Sequence, residues 1–388
     1  MDNRVYVVTC SDYSQAEAKT TELLNMLGGL GALANPGERI ALKANLLSAA
    51  RPEQAVTTHP AIVSAAASAV KARGAVPFIV DSPGSGYRYE RKVMLKTYRT
   101  TGMEDVARET GCELNLDFSH REVSFPNGGL IKRFDVIGPV LDADGVFNLC
   151  KLKTHLFTYM TGAIKNHFGV IPGLAKPGYH AALRDVGRFA AMLLDLTELV
   201  AARLFIMDAV LAMEGEGPFA GSPRRVGLIL ASTNPAALDA VGGEIIGLAW
   251  KDNPVLIEAE KRGFGPNRLE DVELIGIDKR DLRVPNFRTP ATYYGGTGMG
   301  GVSRFHRLLA PILKKGTSIK PRVLKNRCLG CGVCAKACPM EAIAVNKDKK
   351  AHIDDRTCIR CYCCHEMCPE KAIELKRGVL YRMLKPAG

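Results

Sequence analysis

Two runs of cysteine carry the plainest chemistry in the chain. The first reads Cys328-Leu-Gly-Cys331-Gly-Val-Cys334-Ala-Lys-Ala-Cys338-Pro339, the second Cys358-Ile-Arg-Cys361-Tyr-Cys-Cys364-His-Glu-Met-Cys368-Pro369. Both follow C-x2-C-x2-C-x3-C-P, and each cysteine of the second run lies 30 residues after its mate. With no secretory leader visible at the N-terminus, thiols at this density argue for metal ligation over disulfides. Three thiolates two residues apart wrap one face of a metal cube on a tight loop, where Gly330 and Gly332 relieve crowding. The x3 step begins a short helix, and the proline turns the chain away. The apolar run Ala342–Val345 and its repeat at Ala372–Leu375 supply short strands for a small core. Zinc is the alternative, but it favours two C-x2-C pairs. Cys363, an extra thiol inside the second run, is expected as a packed neighbour and not a ligand.

Residues 321–375 resemble a two-cluster 4Fe-4S ferredoxin domain of the bacterial type. In that signature the fourth cysteine of each run ligates the other cluster. The resemblance therefore implies Cys328, Cys331, Cys334 and Cys368 around one cube, and Cys338, Cys358, Cys361 and Cys364 around the second. It also implies one-electron transfer at low potential.

Some larger element must position whatever those electrons reach. Residues 1–290 alternate apolar strands and helices. Strands are expected at Val5–Val8, Ile40–Leu42, Pro77–Val80, Gly145–Leu149, Leu204–Met207, Gly227–Leu230 and Val272–Ile275. Helices are expected at Ala16–Leu27, Ala61–Lys71, Val186–Ala201 and Ala236–Leu248. This order predicts an α/β domain, a mostly parallel sheet with helices on both faces, followed by the small α+β ferredoxin-like domain. Such sheets bind ligands beyond the carboxyl ends of their strands. The loops expected there hold Lys43 and Asn45, Asp81 and Ser82, Lys151, Lys153 and His155, then Lys165, Asn166 and His167. Asp208 follows a later strand, with Glu214 and Glu216 beyond it, and Asn234 follows the next.

Four lysines among neutral amides and open glycine backbone make a cationic cleft suited to a carboxylate or phosphate. Lys43, Asn45, Asp81, Ser82, Lys151, Lys165, Asn166 and Asp208 are the expected binding residues. Lys153, with His155 or His167 as proton donor, is expected to be catalytic. The acids Asp81, Asp208, Glu214 and Glu216 could orient bases or hold a divalent cation. No dinucleotide fingerprint or Walker sequence is present, and the sequence specifies neither a flavin nor a further metal. Each feature has a plainer reading: a Lys-x-Lys at a strand end is a solvated edge, and Asp-Ser-Pro-Gly is a turn signature. Their repeated placement after strands lifts the group above those readings.

At these residues, 38–250 resembles the family called domain of unknown function 362. The likeness rests on Lys43-Ala-Asn45, Thr57-Thr58-His59-Pro60, Asp81-Ser-Pro-Gly84, Lys151-Leu-Lys-Thr-His155, Lys165-Asn166-x-Phe168-Gly169, Asp208 with Gly215-x-Gly217-Pro218, and Asn234-Pro-x3-Asp239. One departure is Cys150, where similar sequences often carry proline. The family name implies no reaction.

Charge divides the chain in the same place. The whole has 388 residues, 52 Lys+Arg against 40 Asp+Glu. Residues 1–302 are neutral, while 303–388 hold 19 basic and 7 acidic side chains and nine of the twelve cysteines. We expect a domain at 1–290, a Gly-rich then basic linker at 291–327, and the ferredoxin domain with a basic tail at 328–388. Phe305–Lys315 has the spacing of a basic amphipathic helix. That excess suits a solvated face, a membrane surface or an acidic redox partner, and without aromatic platforms nucleic acid is disfavoured. No stretch reaches the ~18 apolar residues of a membrane span, so a cytoplasmic protein is expected. The leading expectation is an iron–sulfur oxidoreductase acting on a small anionic substrate. The alternative is a non-catalytic electron-transfer adaptor whose large domain docks a partner or senses a ligand. A third possibility is an anion-binding or transferase domain in which the clusters are structural.

Overall fold

The computed structural model describes residues 2–293 and 319–376. Fifteen strands are described: β1 Arg4–Thr9, β2 Arg39–Lys43, β3 Val76–Val80, β4 Glu113–Leu114, β5 His120–Ser124, β6 Arg133–Ile137, β7 Gly145–His155, β8 Tyr159–Thr161, β9 Leu204–Glu214, β10 Ser222–Ser232, β11 Glu273–Ile275, β12 Lys320–Val323, β13 Ile343–Val345, β14 Ala351–Ile353 and β15 Ile373–Lys376. The helices are α1 Ala16–Met26, α2 Pro60–Ala72, α3 Arg91–Thr100, α4 Met103–Thr110, α5 Gly138–Leu141, α6 Ala163–Asn166, α7 Lys176–Ala182, α8 Val186–Val200, α9 Pro235–Ile245, α10 Pro254–Lys261, α11 Val333–Lys336 and α12 Cys363–Glu366.

One sheet of nine strands organises the large domain, in the order β11-β1-β10-β9-β7-β2-β3-β4 with β8 hairpinned onto β7. β2, β3, β4, β7 and β9 run parallel, whereas β10 is antiparallel to both its neighbours. Long apolar runs form the central strands because helices cover both faces. Leu42, Phe147, Leu149 and Ile206 face the layer containing α1 and α2. Ala41, Phe78, Val80 and Val146 face the layer containing α8. The helices start where their sequences say they should. Pro60 and Pro235 open α2 and α9, and Asn234 Oδ1 accepts the N–H groups of Ala236 and Ala237.

Chain order reverses between β2 and β7. From β2 the sheet grows through β3 to β4, and from β7 it grows the other way through β9. That reversal opens a crevice beyond the carboxyl ends of β2 and β7, the usual ligand position in such sheets.

Three sequence expectations change here. β7 does not stop at Leu149 but continues to His155, and β9 continues to Glu214, so Lys151, Lys153 and Asp208 lie on strands and not in loops. Because β10 is antiparallel, Asn234 sits at the opposite edge, where its amide donates to Asp2 O at 2.9 Å. The glycine run, the basic segment through residue 318 and the basic tail from 377 lie outside the described residues.

The C-terminal unit is a pseudo-repeat of two small β pairs, β12 with β15 and β13 with β14. Its backbone repeats too: Gly330 and Gly332 have φ of +68° and +77°, and their equivalents Arg360 and Tyr362 have +60° and +64°. A Cβ at Gly330 would strike Lys349 O, so the first loop requires glycine.

Candidate functional site: a cavity between the large domain and the cysteine helix

At the crevice between β2 and β7 lies a cleft of about 530 Å³. Asn45, Asp81, Ser82, Lys153, His155 and Lys165 line it, as do Thr161, Asn166, Lys176 and His180. Its remaining wall comes from the C-terminal unit, through Glu366 and Met367. The two units meet closely here, with Met367 and Cys363 packed among Leu47 and Tyr87. A Cβ on Gly84 would come within 2.7 Å of Met367 Sδ.

Lys153 begins a chain of amides. Its Nζ donates to Asn45 Oδ1 (3.0 Å) and to Val56 O (2.6 Å). Asn45 Nδ2 donates to Asn166 Oδ1 (2.9 Å), Asn166 Nδ2 to Asn148 Oδ1 (2.7 Å), and Asn148 Nδ2 to Ala163 O (3.0 Å). An ammonium only donates and a backbone carbonyl only accepts, so the two ends fix every amide between them. Burial, reinforced by the Lys165 and Lys151 ammonium groups, lowers Lys153 to about 7.

His155 is fixed just as firmly. Its Nδ1 accepts the N–H groups of Phe157 (3.0 Å) and Thr158 (3.3 Å), so Nε2 carries the proton. Nε2 lies 3.6 Å from Glu366 Oε1. Burial holds His155 well below its ordinary range, so this contact joins a neutral imidazole to Glu366 and is not an ion pair. Lys165 Nζ meets ring faces, 4.8 Å from the centroid of Phe168 and 5.7 Å from that of Phe189. Burial pushes Lys165 down and Glu366 up, and the attraction between them limits both shifts.

Asp81 supports the floor. Its Oδ1 lies 2.7 Å from Lys43 Nζ, and Oδ2 accepts the Leu46 N–H at 2.6 Å. Gly169 is required beside this pair, since a Cβ there would overlap Asp81 Oδ1 and Lys43 Nζ. Ser82 donates its hydroxyl to Ile171 O and accepts from Lys176 Nζ at 2.8 Å.

Four expected residues stand off the cavity lining. Lys43 lies behind Asp81. Lys151 lies two residues, about 6.6 Å, back along β7 from Lys153, inside the sheet layer and not at its end. There it is buried with Asp208 (2.8 Å) and the Tyr13 hydroxyl (3.0 Å). Asp208 Oδ2 also accepts the His59 N–H at 2.9 Å, which closes a structural network. His167 points into the layer behind, where Nδ1 meets Thr197 Oγ1 at 2.9 Å and burial lowers the ring to about 3. It is a neutral core histidine. Among the expected acids, Glu214 pairs with Arg288 at 2.9 Å, and Glu216 Oε1 accepts the Ala291 N–H.

The structure brings four of the expected cysteines together. Cys328, Cys331, Cys334 and Cys368 line one apolar cavity of about 350 Å³ with Val323, Ala351 and Ile373. Among the described residues no group of three or more His, Cys, Asp or Glu converges as a single ion would need. Four cysteines around one apolar cavity fit a four-iron cube. Backbone N–H groups reach three of the sulfurs: Ala351 to Cys328 (3.4 Å), Ala342 to Cys338 (3.3 Å) and Ala372 to Cys368 (3.2 Å). Such donors favour thiolates. Cys338 and Cys358 lie within electrostatic reach of Cys361 and Cys364. Cys363 is fully buried in the apolar contact with the large domain.

The family model for the domain of unknown function DUF362 matches residues 40–244, more than half of the chain. The chain belongs to the DUF362 family. A second model, the 4Fe-4S dicluster domain, matches residues 327–372. The DUF362 protein is 35% identical over 277 residues to the thylakoid-associated protein sll1697 of Synechocystis, covering 70% of this chain and 83% of that relative. Among solved structures it is similar to the lactate racemase apoprotein from Thermoanaerobacterium thermosaccharolyticum, at TM-score 0.38 and 10% identity over 64% of this chain and 58% of the other. The C-terminal unit is thus an iron–sulfur, electron-transfer domain attached to a DUF362 domain. Among the described residues no helix is long and apolar enough to cross a membrane.

Sequence reasoning missed Lys176, His180 and Glu366. Lys176 Nζ donates to Ser82 O (3.2 Å), Ser82 Oγ (2.8 Å) and Pro83 O (2.6 Å), and burial lowers it to about 7. His180 stacks on Phe189 at 4.6 Å. Neither belongs to a recognisable motif. For Glu366 a signal existed: the first repeat has Ala335-Lys336-Ala337 where the second has His365-Glu366-Met367.

Proposed function

We propose that this DUF362 protein is an iron–sulfur oxidoreductase that reduces a small anionic substrate in the cavity beneath α12. One observation carries the reading: the wall that completes the lysine-lined cavity is the turn joining Cys364 to Cys368. When bound, two 4Fe-4S clusters supply single electrons at that wall.

The chain's own residues do the rest. Lys165 and Lys153 draw the anion in, and the amide chain holds Lys153 in position. His155 presents Nε2–H to the cavity beside Glu366. Lys153 and Lys176, both lowered to about 7, are poised to give or take protons near neutrality. Phe168, Met367 and the close contact between the units keep bulk water from the reacting atoms. We place the protein in the cytoplasm, where the basic excess of its C-terminal region would steer an acidic electron donor.

The test uses the full chain purified anaerobically, with about eight irons per molecule expected for two four-iron clusters. After reduction with dithionite, candidate anions are added and recovery of the visible cluster absorbance is followed. Reoxidation that is lost in Lys153→Met supports the reading. The reductase assignment fails if anions that occupy the cavity never alter the cluster spectrum. It gives way to an electron-transfer adaptor if Lys153→Met and His155→Ala transfer electrons to a protein acceptor at the unaltered rate.

A further inference from the structure

Several polar groups on the cavity wall have no partner within the protein, and they describe what belongs there. Lys176 is saturated, since its three N–H groups have three acceptors. Lys153 has two acceptors and therefore one N–H to spare. Lys165 Nζ meets two aromatic faces. The Thr161 hydroxyl, His180 Nδ1 and Glu366 Oε1 are buried without a hydrogen-bond partner. His155 offers Nε2–H from the same wall.

Charge gives the second constraint. Lys153, Lys165, Lys176, Asp81 and Glu366 face the cavity with the neutral rings of His155 and His180. Lys43, directly behind, cancels Asp81 at 2.7 Å. Glu366 offsets one lysine, which leaves two ammonium groups unmatched. Lys153 and Lys176 are 1% and 4% exposed. Charge so deep is unfavourable without a partner, so in the empty cavity burial drives these lysines towards their neutral forms, and a bound anion would hold them as ammonium groups.

We propose that the cavity binds a small dianion, a phosphate monoester or a dicarboxylate, with its oxygens on Lys165, the spare N–H of Lys153 and the Thr161 hydroxyl. This inference rests on the cavity being the substrate site, and it names the class of substrate. Spare donors outnumber spare acceptors on the wall, as an oxygen-rich anion requires. A monoanion would compensate only one of the two ammonium groups. A dianion matches the lysines that face it.

The experiment is anaerobic isothermal titration calorimetry on the iron-loaded full chain at constant ionic strength. Malonate, inorganic phosphate and sulfate are the dianionic probes, and acetate is the monoanionic one. We expect at least one dianion to bind one per chain, at least tenfold more tightly than acetate. Malonate alone would indicate dicarboxylates and phosphate or sulfate alone a tetrahedral head, and either supports the proposal. Lys165→Met should weaken binding at least tenfold, Lys165→Arg should recover part of it, and Thr161→Val should weaken it a few-fold. Acetate binding as tightly as every dianion overturns the proposal, as does unchanged dianion affinity in iron-loaded Lys165→Met. The wild-type anion series stands even if a variant fails to fold. Dianion binding with unresponsive clusters removes the reductase reading but keeps this one. Cluster reoxidation by a neutral or singly charged substrate, with no dianion binding, does the reverse.

Discussion

Replacing Asp81 by Asn tests how the buried charges of the cavity floor are held. The Asp81–Lys43 pair is 2.7 Å apart, with side chains 3% and 0% exposed. Asn keeps a carbonyl oxygen for the Leu46 N–H but turns an amide donor towards the ammonium. Removing one member of a buried pair costs about 3–5 kcal/mol. Lys43 has an escape, because it can fold without its proton. Taking a lysine of ordinary pKa 10.5 to its neutral form costs about 5 kcal/mol at pH 7 and about 2 kcal/mol at pH 9, at 1.36 kcal/mol per unit. In the variant the unfolded state would then hold one more proton than the folded state, so its stability rises with pH. The penalty should therefore be about 3–5 kcal/mol at pH 7 and shrink by about 1.4 kcal/mol per unit above it. Urea melts followed by far-UV circular dichroism, under anaerobic conditions with iron content checked, measure it against the unaltered protein at each pH. The double variant Lys43→Met/Asp81→Asn should recover most of the loss. A penalty below about 1 kcal/mol at pH 7, or one that grows with pH, refutes the reasoning.

Three further outcomes follow from the geometry. His167 and His180 are lowered to about 3 from 6.5, so the folded protein holds them neutral while the unfolded chain protonates. Their contribution is complete above pH 6.5 and falls by about 1.4 kcal/mol per unit for each ring as pH drops towards 3. Urea melts between pH 7.5 and 5.5 should show that slope, and His167→Phe should remove one ring's share of it. Cys363→Ala should retain the full iron content, whereas Cys361→Ala should lose about half, as read by iron assay and electron paramagnetic resonance. Gly169→Ala should destabilise the large domain by about 1–3 kcal/mol or more by driving a methyl onto Asp81 and Lys43, with chemical denaturation as the measure.

The cysteine runs were legible because cluster ligation is written in short covalent spacing. Sheet class and helix starts were legible because burial on both faces demands apolar strands and capping leaves its own residues. Strand length was not. Cys150-Lys-Leu-Lys-Thr-His155 reads as polar loop, but β7 runs through it because each lysine finds a buried partner supplied from elsewhere. Asp208 arrives from β9 and Val56 O from the segment before α2. Equal spacing along one strand face then placed Lys151 in the layer and Lys153 in the cavity. Strand direction was equally silent, so Asn234 went to the wrong edge until the antiparallel pairing of β10 was known. His167 could not be separated from His155 by sequence, because the difference is which layer each ring enters.

The turn from Cys364 to Cys368 serves the iron and the cavity at once. A four-residue helix such as α12 has no stability of its own, being shorter than the nucleus a helix must form. Its order comes from outside it: Cys363 and Met367 pack against Leu47 and Tyr87, and clusters bound at Cys364 and Cys368 would hold both of its ends. A chain that has not received its iron would hold the roof over Lys165 only by the packing of Cys363 and Met367, and its pocket would be looser and wetter. Under the proposed function, metallation would act as a proofreading step, since a substrate would meet a complete binding site only in molecules already equipped to pass it an electron.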